Sequence, residues 1–480
     1  MNQNKPAGLV KNLVYSIGAN GFSMLVSAIV VFLVPRLVGK TDYGYWQLYA
    51  FYTSYIGFFH FGWCDGVYLR YGGAYYEKLN YKRLGLQFWM LTGLELFLSA
   101  VMLGLLGLGG SYSAKTQVLC FTAANLVLVL PKNYLSFVLQ MCGRIQEYSI
   151  VTILEKAVYC VMVVVVLALG KTSFVWIVAA DVLGKVASLL LAAVYCRELV
   201  LCGKTEKAAL LDAWQDGKEN LKAGVSLLVA NLSGMLILGL VRFAVENQWS
   251  VETFGEVSLA VNLSNLLIVF INAIGTVIFP LLKRMNPDKL ADTYLLLRDC
   301  LMVVLFLCLM VYFPIKMFLS RWLTDYALGI SYMAILFPIC VCESKMALVV
   351  SPYLKALRRE RAMLGANIIT VCLSAVLTGI TVYLLHSLEL AMLSVLILFF
   401  VRCVICEEIL GPELGIETRK ATGLELLMTA VFCGASWFLP QYAVLIYGGA
   451  YVVYLAAKRS FLRELWGFLK AWRTKGGKEE

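Results

Sequence analysis

The chain has 480 residues, of which 61% are hydrophobic and only 15% are charged. This balance excludes a water-soluble globular enzyme and is typical of a chain that folds in lipid. The formal net charge of +11 does not indicate a nucleic-acid partner. The basic residues lie between apolar runs and near the end of the chain, where cytoplasmic loops of a membrane protein carry them.

Cysteine and histidine usage argues against metal or thiol chemistry. The fourteen cysteines form no cluster with histidine, and several lie inside apolar runs, where a thiol packs as a small hydrophobic group. The histidines are His60 and His386, so a metal site or a histidine base has few possible ligands. We expect no disulfide framework, no metal site, no catalytic residues and no cofactor.

Apolar windows of roughly 20 residues, the length that crosses a bilayer as a helix, recur along the whole chain. In chain order the predicted spans are Leu13–Pro35, Trp46–Tyr68, Leu84–Leu108, Gln117–Leu139, Ser149–Leu169, Phe174–Tyr195, Leu221–Val245, Gly255–Leu282, Tyr294–Leu319, Leu328–Val350, Ala362–Leu385, Leu388–Leu410, Leu424–Pro440 and Tyr442–Ala457. The first is too long for a signal-peptide core and lacks a small-x-small cleavage site. The sequence therefore predicts an all-α integral membrane protein with about 14 transmembrane helices.

Charge between the spans predicts the orientation and the domains. The loops alternate between the two sides of the membrane, and basic residues are several times more frequent in the set on the same side as the N-terminus. Because cytoplasmic loops are rich in basic residues, both termini are predicted to be cytoplasmic. The predicted parts are an N-lobe at 1–196, a cytoplasmic linker at 197–221, a C-lobe at 222–411, two helices at 412–457 and a basic amphipathic tail at 458–480. The tail is expected to lie on the anionic inner leaflet.

The two predicted lobes show an internal repeat. Ala19-Asn20 and Asp42-Tyr43-Gly44 match Ala230-Asn231 and Thr253-Phe254-Gly255 at a constant shift of 211 residues. Because six spans separate the copies, both enter the membrane from the same side, as in a parallel repeat about an axis along the membrane normal. Two six-helix lobes around a central cavity can expose a midplane site alternately to each side. This architecture favours transport by alternating access.

Charged residues at bilayer depth are candidate site residues, because a charge there is costly. The predicted substrate-binding cations are Lys132, Lys156, Lys345, Arg242 and Arg402. Pro131 precedes Lys132 and can open the helix around it. Lys132 and Lys345 lie at comparable positions in the two lobes, so together they can bring two cations into one cavity that suits an anion, especially a phosphate. The alternative is that each lysine pairs locally, Lys345 with Glu343.

Other intramembrane polar residues have a structural interpretation beside the functional one. Asp181 and Lys185 are spaced i,i+4, which favours a local ion pair. Further candidates for polar cavity residues are Asn20, Asn231, Asp65 and Arg70. The two asparagines are equivalent in the repeat, but a membrane asparagine more often bonds to a neighbouring helix. The other two flank an aromatic-rich stretch that is suited to stacking on sugars, although such rings are mostly interface aromatics.

The loop after the first span carries a family resemblance. Pro35-Arg36-Leu37-Val38-Gly39-Lys40-Thr41-Asp42-Tyr43-Gly44 followed by Trp46-Gln47-Leu48 resembles the same region of Wzx-type polysaccharide flippases. These proteins belong to the MOP superfamily with MATE exporters and the lipid flippase MurJ. The number of spans, the repeat and the loop lengths are similar over the whole chain.

The resemblance implies a substrate, a membrane and partners. The substrate would be an undecaprenyl-diphosphate-linked oligosaccharide, flipped from the inner to the outer face of the bacterial plasma membrane. Lys132, Lys156 and Lys345 would attract the diphosphate and sugar, while the polyprenyl tail stays among the membrane lipids. A polysaccharide polymerase and glycosyltransferases would act with the protein, which is expected to be a monomer. MurJ-like proteins are expected to carry arginines in the first helix, and this first span has none between Lys11 and Arg36, which disfavours lipid II.

Two other functions stay open. A MATE-like exporter of small organic cations, driven by H⁺ or Na⁺, would need a membrane carboxylate as its coupling site, and Asp65, Glu95 and Asp181 are the deep carboxylates of the first lobe. A membrane glycan polymerase or ligase would carry a large outer loop with catalytic residues, whereas every predicted outer loop here is short. The coupling ion and the sugar do not follow from the sequence.

Overall fold

The computed structural model describes residues 6–110, 113–201, 207–265 and 289–459, and the regular structure within these ranges is helical. The first helices are α1 (Pro6–Leu37), α2 (Lys40–Ile56), α3 (Trp63–Tyr71), α4 (Tyr81–Leu108), α5 (Ala114–Met141), α6 (Ile145–Ala168), α7 (Phe174–Tyr195) and α8 (Arg197–Val200). They are followed by α9 (Lys207–Gln248), α10 (described over 251–265), α11 (Leu290–Leu309), α12 (Tyr312–Trp322), α13 (Ala327–Leu336), α14 (Ile339–Lys345), α15 (Ser351–Ala356), α16 (Glu360–Thr378), α17 (Leu388–Leu414), α18 (Arg419–Phe438) and α19 (Ala443–Ala457). The predicted all-α architecture is confirmed.

Ten helices of the described ranges are long and apolar enough to cross a membrane, or eleven if one bent pair is counted as a single span. The chain is therefore a multi-pass membrane protein. The predicted number of 14 spans is not confirmed, for reasons that can be located along the chain. The second predicted span is broken, and α19 has 15 residues. Most of the predicted span Gly255–Leu282 and most of the predicted tail at 458–480 lie outside the described residues.

The second predicted span, Trp46–Tyr68, is not one continuous helix. A short 3₁₀ turn at Gly57–His60, followed by Phe61 and Gly62, separates α2 from α3. Phe61 and Gly62 have φ angles of 52° and 91°, in the left-handed region that commonly ends a helix. Glycine adopts this region without steric cost. Hydropathy averaged over the window does not detect such a break.

The tenth predicted span is bent by 44° between Thr324–Leu336 and Ile339–Ala356. Pro338 lies at the bend, where it lacks the backbone N–H of a regular helix and its ring crowds the preceding turn. A π-helical turn at Met346–Val350 follows. Lys345 is thus the last α-helical residue between two irregularities of the same span.

α9 joins the predicted linker to the seventh predicted span in one uninterrupted helix of 42 residues. Its N-terminal part packs closely on α3. A methyl group on Gly66 would overlap the backbone oxygen of Asn220, and one on Gly224 would overlap that of Gly62. Small residues permit this close approach of two helix backbones in membrane proteins, so the linker-derived end of α9 is docked on α3.

The described residues divide into two compact units. The first unit comprises the chain up to Leu236 together with Val245–Ser258, and the second comprises Ile237–Ala244 together with the chain from Leu259. In the first unit, α3, α4 and α5 contribute buried side chains to one apolar cluster. The predicted lobe boundaries stay a prediction.

Within the first unit, α2 and the start of α10 meet at residues that are 211 positions apart. The Thr41 hydroxyl donates to Oε1 of Glu252 at 2.6 Å, and a Cβ built on Gly255 would lie 3.0 Å from the Cα of Gly44. The spacing of both pairs equals the shift of the predicted repeat. Equivalent positions of the two matched segments are therefore in contact with each other.

Candidate functional site, a lysine-rich polar network

Lys132 and Glu155 form one end of a polar network in the first unit. Nζ of Lys132 on α5 lies 2.8 Å from Oε2 of Glu155 on α6. Their side chains are 16% and 12% exposed, so both remain accessible from outside the unit. Lys156 follows Glu155 on α6, and its charge also acts on that carboxylate.

The other end of the network lies on α2, α5 and α7. Asp181 and Lys185 form an ion pair of 2.5 Å across one turn of α7, because the i,i+4 spacing puts both on one helix face. Tyr49 of α2 donates its hydroxyl to Oδ2 of Asp181 at 2.6 Å. The same hydroxyl accepts a hydrogen bond from the amide of Asn125 on α5. Three helices thus hold the Asp181–Lys185 pair in place.

Ser188 connects the two ends. Its Oγ lies 3.4 Å from Oε2 of Glu155 and 2.9 Å from the backbone oxygen of Lys185, and the hydroxyl can donate to either acceptor. Gly184 lets α7 approach α6 here, since a Cβ on it would come 2.7 Å from the backbone oxygen of Glu155. We call this set the lysine network; its members are Lys132, Lys156, Lys185, Glu155, Asp181, Tyr49, Asn125 and Ser188. Its three lysines and two carboxylates leave one positive charge in excess.

The second unit contains a cluster of a different kind, the buried tetrad of Arg298, Lys345, Glu407 and Glu425. Nζ of Lys345 lies 2.5 Å from Glu407 and 2.6 Å from Glu425. Arg298 lies 3.2 and 3.0 Å from the same two carboxylates. No side chain of the tetrad is more than 6% exposed, and the four charges cancel. The tetrad joins α11, α14, α17 and α18 as a closed ion network.

Sequence reasoning missed the partners of Lys345. The local pairing with Glu343 does not occur, because Glu343 lies 2.9 Å from Nη1 of Arg402 instead. Nε of Arg402 also donates to the side chain of Asn367 at 2.9 Å. The available signal was a pair of glutamates, Glu407 and Glu425, inside or beside apolar windows, where an unpartnered carboxylate is costly.

The remaining membrane candidates lie on α1 and α9. Arg242 is on α9, in the short stretch of that helix that belongs to the second unit, and Glu246 one turn later pairs with Lys115. Asn20 on α1 and Asn231 on α9 are both exposed. Within the described ranges, no group of three or more His, Cys, Asp or Glu residues is arranged to hold a metal ion.

Arg70 and Asp65 lie on α3. Nη1 of Arg70 is 3.0 Å from Oδ1 of Asp216 on α9, and Tyr71 donates its hydroxyl to the other oxygen of Asp216 at 2.7 Å. Burial, helped by this hydrogen bond, raises the pKa of Tyr71 to about 12, so the phenol stays a donor. Asp65 is buried, with Oδ2 3.8 Å from Nε2 of His60. Arg70 therefore anchors the linker-derived end of α9, a role that the mixed charge of the linker did not reveal.

Comparison with known proteins adds a family and a fold. A model of the family described as polysaccharide biosynthesis protein matches residues 9–286, more than half of the chain. A structure described as lipid II flippase MurJ in an inward closed conformation is 12% identical, with a TM-score of 0.63 over 94% of this chain and 99% of that chain. An inward-facing multidrug resistance MATE family transporter of the MOP superfamily is 14% identical, with a TM-score of 0.59 over 83% and 98% of the two chains.

A eukaryotic MATE transporter is also 14% identical, with a TM-score of 0.50 over 84% of this chain and 95% of that chain. No curated protein sequence matched the chain. At these identities the structural likeness shows a common fold, whereas the family model matches the sequence itself. The chain belongs to the polysaccharide biosynthesis protein family and has the fold of MOP superfamily transporters.

Proposed function

We propose that the protein is a flippase that moves an undecaprenyl-diphosphate-linked oligosaccharide from the inner to the outer leaflet of the bacterial plasma membrane, for polysaccharide export. In this proposal both termini are cytoplasmic, the protein acts as a monomer, and its activity is transport and not catalysis. Glycosyltransferases act on the substrate before the flippase transfers it, and a polysaccharide polymerase acts on it afterwards.

The family and the fold support this proposal. The matching family model is named for polysaccharide biosynthesis, and a protein of the same fold is described as a lipid II flippase. Transfer of a lipid-linked glycan across the membrane is a function that agrees with both descriptions. The departure of the first helix from MurJ-like proteins favours a substrate other than lipid II.

The observation that carries the proposal is the excess positive charge of the lysine network. A diphosphate is a compact anion, and lysine ammonium groups bind phosphate as point charges. Lys132 is a partly exposed lysine at one end of the network, so it is placed to meet an entering diphosphate. The Asp181–Lys185 pair bonds to Tyr49 and thereby keeps α2 and α7 in register.

The proposed mechanism exchanges ion-pair partners. Lys132 turns from Glu155 to the entering diphosphate. Its ammonium group therefore has an anionic partner throughout the exchange. Lys156 and Ser188 then hold Glu155. Rocking of the two predicted lobes, 1–196 and 222–411, exposes the bound headgroup to the other face while the polyprenyl tail stays in lipid.

The cations of the second unit have other roles in this proposal. Lys345 belongs to the neutral tetrad and Arg402 to a pair with Glu343, so we assign both to holding helices together. Arg242 stays a candidate contact for the sugar. The sequence predicted a cavity that contains both Lys132 and Lys345. The present proposal instead centres the substrate site on the lysine network.

Native mass spectrometry of protein extracted gently from its host membrane tests the proposal. We expect a co-purified polyprenyl-diphosphate oligosaccharide, and we expect less of it with Lys132→Gln. Arg419→Gln is the matched control, since Arg419 forms an exposed pair with Glu408 and should retain the lipid. Protein that carries no such lipid and binds no added undecaprenyl diphosphate would refute the proposal.

A MATE-like exporter of small organic molecules is the second candidate. The likeness to multidrug resistance MATE transporters supports it, and Asp181 is a membrane carboxylate at one end of the lysine network. Thermal stabilisation by small organic cations, with none by undecaprenyl diphosphate, would favour this function.

A further inference from the structure

Glu95 lies on the one inward-facing stripe of α4. Residues Gln87, Leu91, Glu95 and Ser99 recur at four-residue spacing and are all buried, as expected for one face of a helix. Most of the remaining surface of α4 is apolar and exposed, as at Leu96 and Phe97, and faces lipid. Glu95 therefore points into the first unit and not into the hydrocarbon.

The polar neighbours of Glu95 on this stripe have partners, and Glu95 does not. Gln87 donates to Asp216 at 2.6 Å, and Ser99 donates to the backbone oxygen of Ala123 on α5 at 2.8 Å. Glu95 is 0% exposed, and within the described part of the chain neither of its carboxyl oxygens forms a hydrogen bond. It is the sole glutamate in that condition among the described residues.

Within the described ranges, no lysine or arginine bonds to the carboxyl group of Glu95. Cys64 of α3 is a titratable group close enough to Glu95 to interact with it. Asp65 of α3 faces His60. On α5, Leu126 packs with Leu98 of α4, and Lys132 pairs with Glu155 of α6. Lys82 and Arg83, at the start of α4, are about three helical turns away from Glu95.

A carboxylate without a cation or a donor is far less stable at bilayer depth than the neutral acid. Glu95 is therefore protonated in this conformation. A buried polar group without a partner weakens the fold compared with an apolar residue of similar size, so packing does not account for a glutamate here. A site that takes up and releases a proton, in contrast, requires a titratable side chain such as glutamate.

We propose that Glu95 is a proton-binding site that is loaded in this conformation and gives up its proton during the transport cycle. The reaction is COOH to COO⁻ with release of H⁺, and it requires water or a cation to reach α4 after a rearrangement of the helices. This proposal rests on the chain being a transporter and identifies H⁺ as its coupling ion. It is independent of which solute is carried.

The test follows the proton directly. Infrared difference spectra of the protein in lipid nanodiscs are recorded while pH is raised, with Glu95→Gln and Glu95→Asp as variants. The control is Glu147→Gln, which removes a carboxylate that pairs with Arg144 near the helix ends at 2.9 Å. We expect the carbonyl stretch of a protonated carboxyl group in the parent and the control, its loss in Glu95→Gln, and a shifted band in Glu95→Asp, with the parent's band lost as pH rises.

A second measurement links the proton to the substrate. Undecaprenyl diphosphate is added in weakly buffered solution with a pH-indicator dye, and we expect the parent to release about one proton per protein more than Glu95→Gln, since that variant has no carboxyl group to titrate. A missing band, or a band that persists at every pH without proton release, would overturn the proposal. If undecaprenyl diphosphate binds to no variant, the flippase function fails, while the titrating band still reports on Glu95.

Discussion

Replacing Lys345 by methionine tests whether the buried tetrad is structural. The change leaves Glu407 and Glu425 with Arg298 as their single counter-ion, so one negative charge is uncompensated where no side chain is more than 6% exposed. Two contacts of 2.5 and 2.6 Å are lost. Removing one partner of a buried ion pair costs about 3–5 kcal/mol, and we expect a loss of this size in the free energy of unfolding.

A second change should reverse the loss. Lys345→Met combined with Glu425→Gln leaves Arg298 opposite Glu407, so the site is neutral again, and a well-packed neutral site is often as stable as a buried ion network. The assay is denaturant unfolding in detergent micelles, followed by tryptophan fluorescence, for the two single variants and the double variant. The interaction energy then comes from the double-mutant cycle.

The outcome also decides between two roles for Lys345. A substrate-binding lysine would lose transport on substitution while the protein keeps its stability and its abundance in the membrane. Unchanged stability of Lys345→Met together with lost transport would refute the structural interpretation. It would return Lys345 to the predicted substrate-binding cations.

Three further outcomes follow from the first unit. Lys132→Gln should lower transport about tenfold or more at unchanged membrane abundance, since a charge-assisted contact of about 1.5–3 kcal/mol is lost; equal transport in a vesicle assay would contradict its contact with the diphosphate. Asp181→Leu should lower abundance because it strands Lys185, and adding Lys185→Leu should restore it; a double variant as scarce as the single one, by immunoblot, would rule out a simple ion pair. Gly224→Ala should cost about 3 kcal/mol or more, because its methyl group meets the backbone of Gly62 in a site that cannot repack; an unchanged thermal midpoint would show that α9 is not docked there.

Hydropathy predicted the helices that cross the membrane as straight rods. The predicted span Ser149–Leu169 corresponds to α6, Ile145–Ala168, because burial in lipid acts on every residue of such a segment and the sum is visible in the sequence. Backbone breaks are set by single residues instead. The left-handed pair Phe61-Gly62 divides the second span, and nothing in the average hydropathy of its window marks that position.

Charge pairs were predictable when they are local. Asp181 and Lys185 are one turn apart on one helix, so their spacing alone indicated the geometry now seen at 2.5 Å. The partners of Lys345 are 62 and 80 residues away along the chain. Such contacts depend on how α14, α17 and α18 pack, which a single sequence does not specify residue by residue.

The contact between Gly44 and Gly255 has a consequence for the energy of moving the segments that carry it. Neither partner has a side chain, so no rotamer freedom is lost when the contact forms, and almost no apolar side-chain area becomes exposed at those two positions when it separates. Beside it, the exposed contact of Thr41 with Glu252 can be replaced by water. The contact of Lys40 with Glu256 joins a partly exposed ammonium group to a buried carboxylate. Opening of this junction is therefore opposed mainly by the buried rings of Phe51 and Phe254, which pack edge to face beside the two glycines.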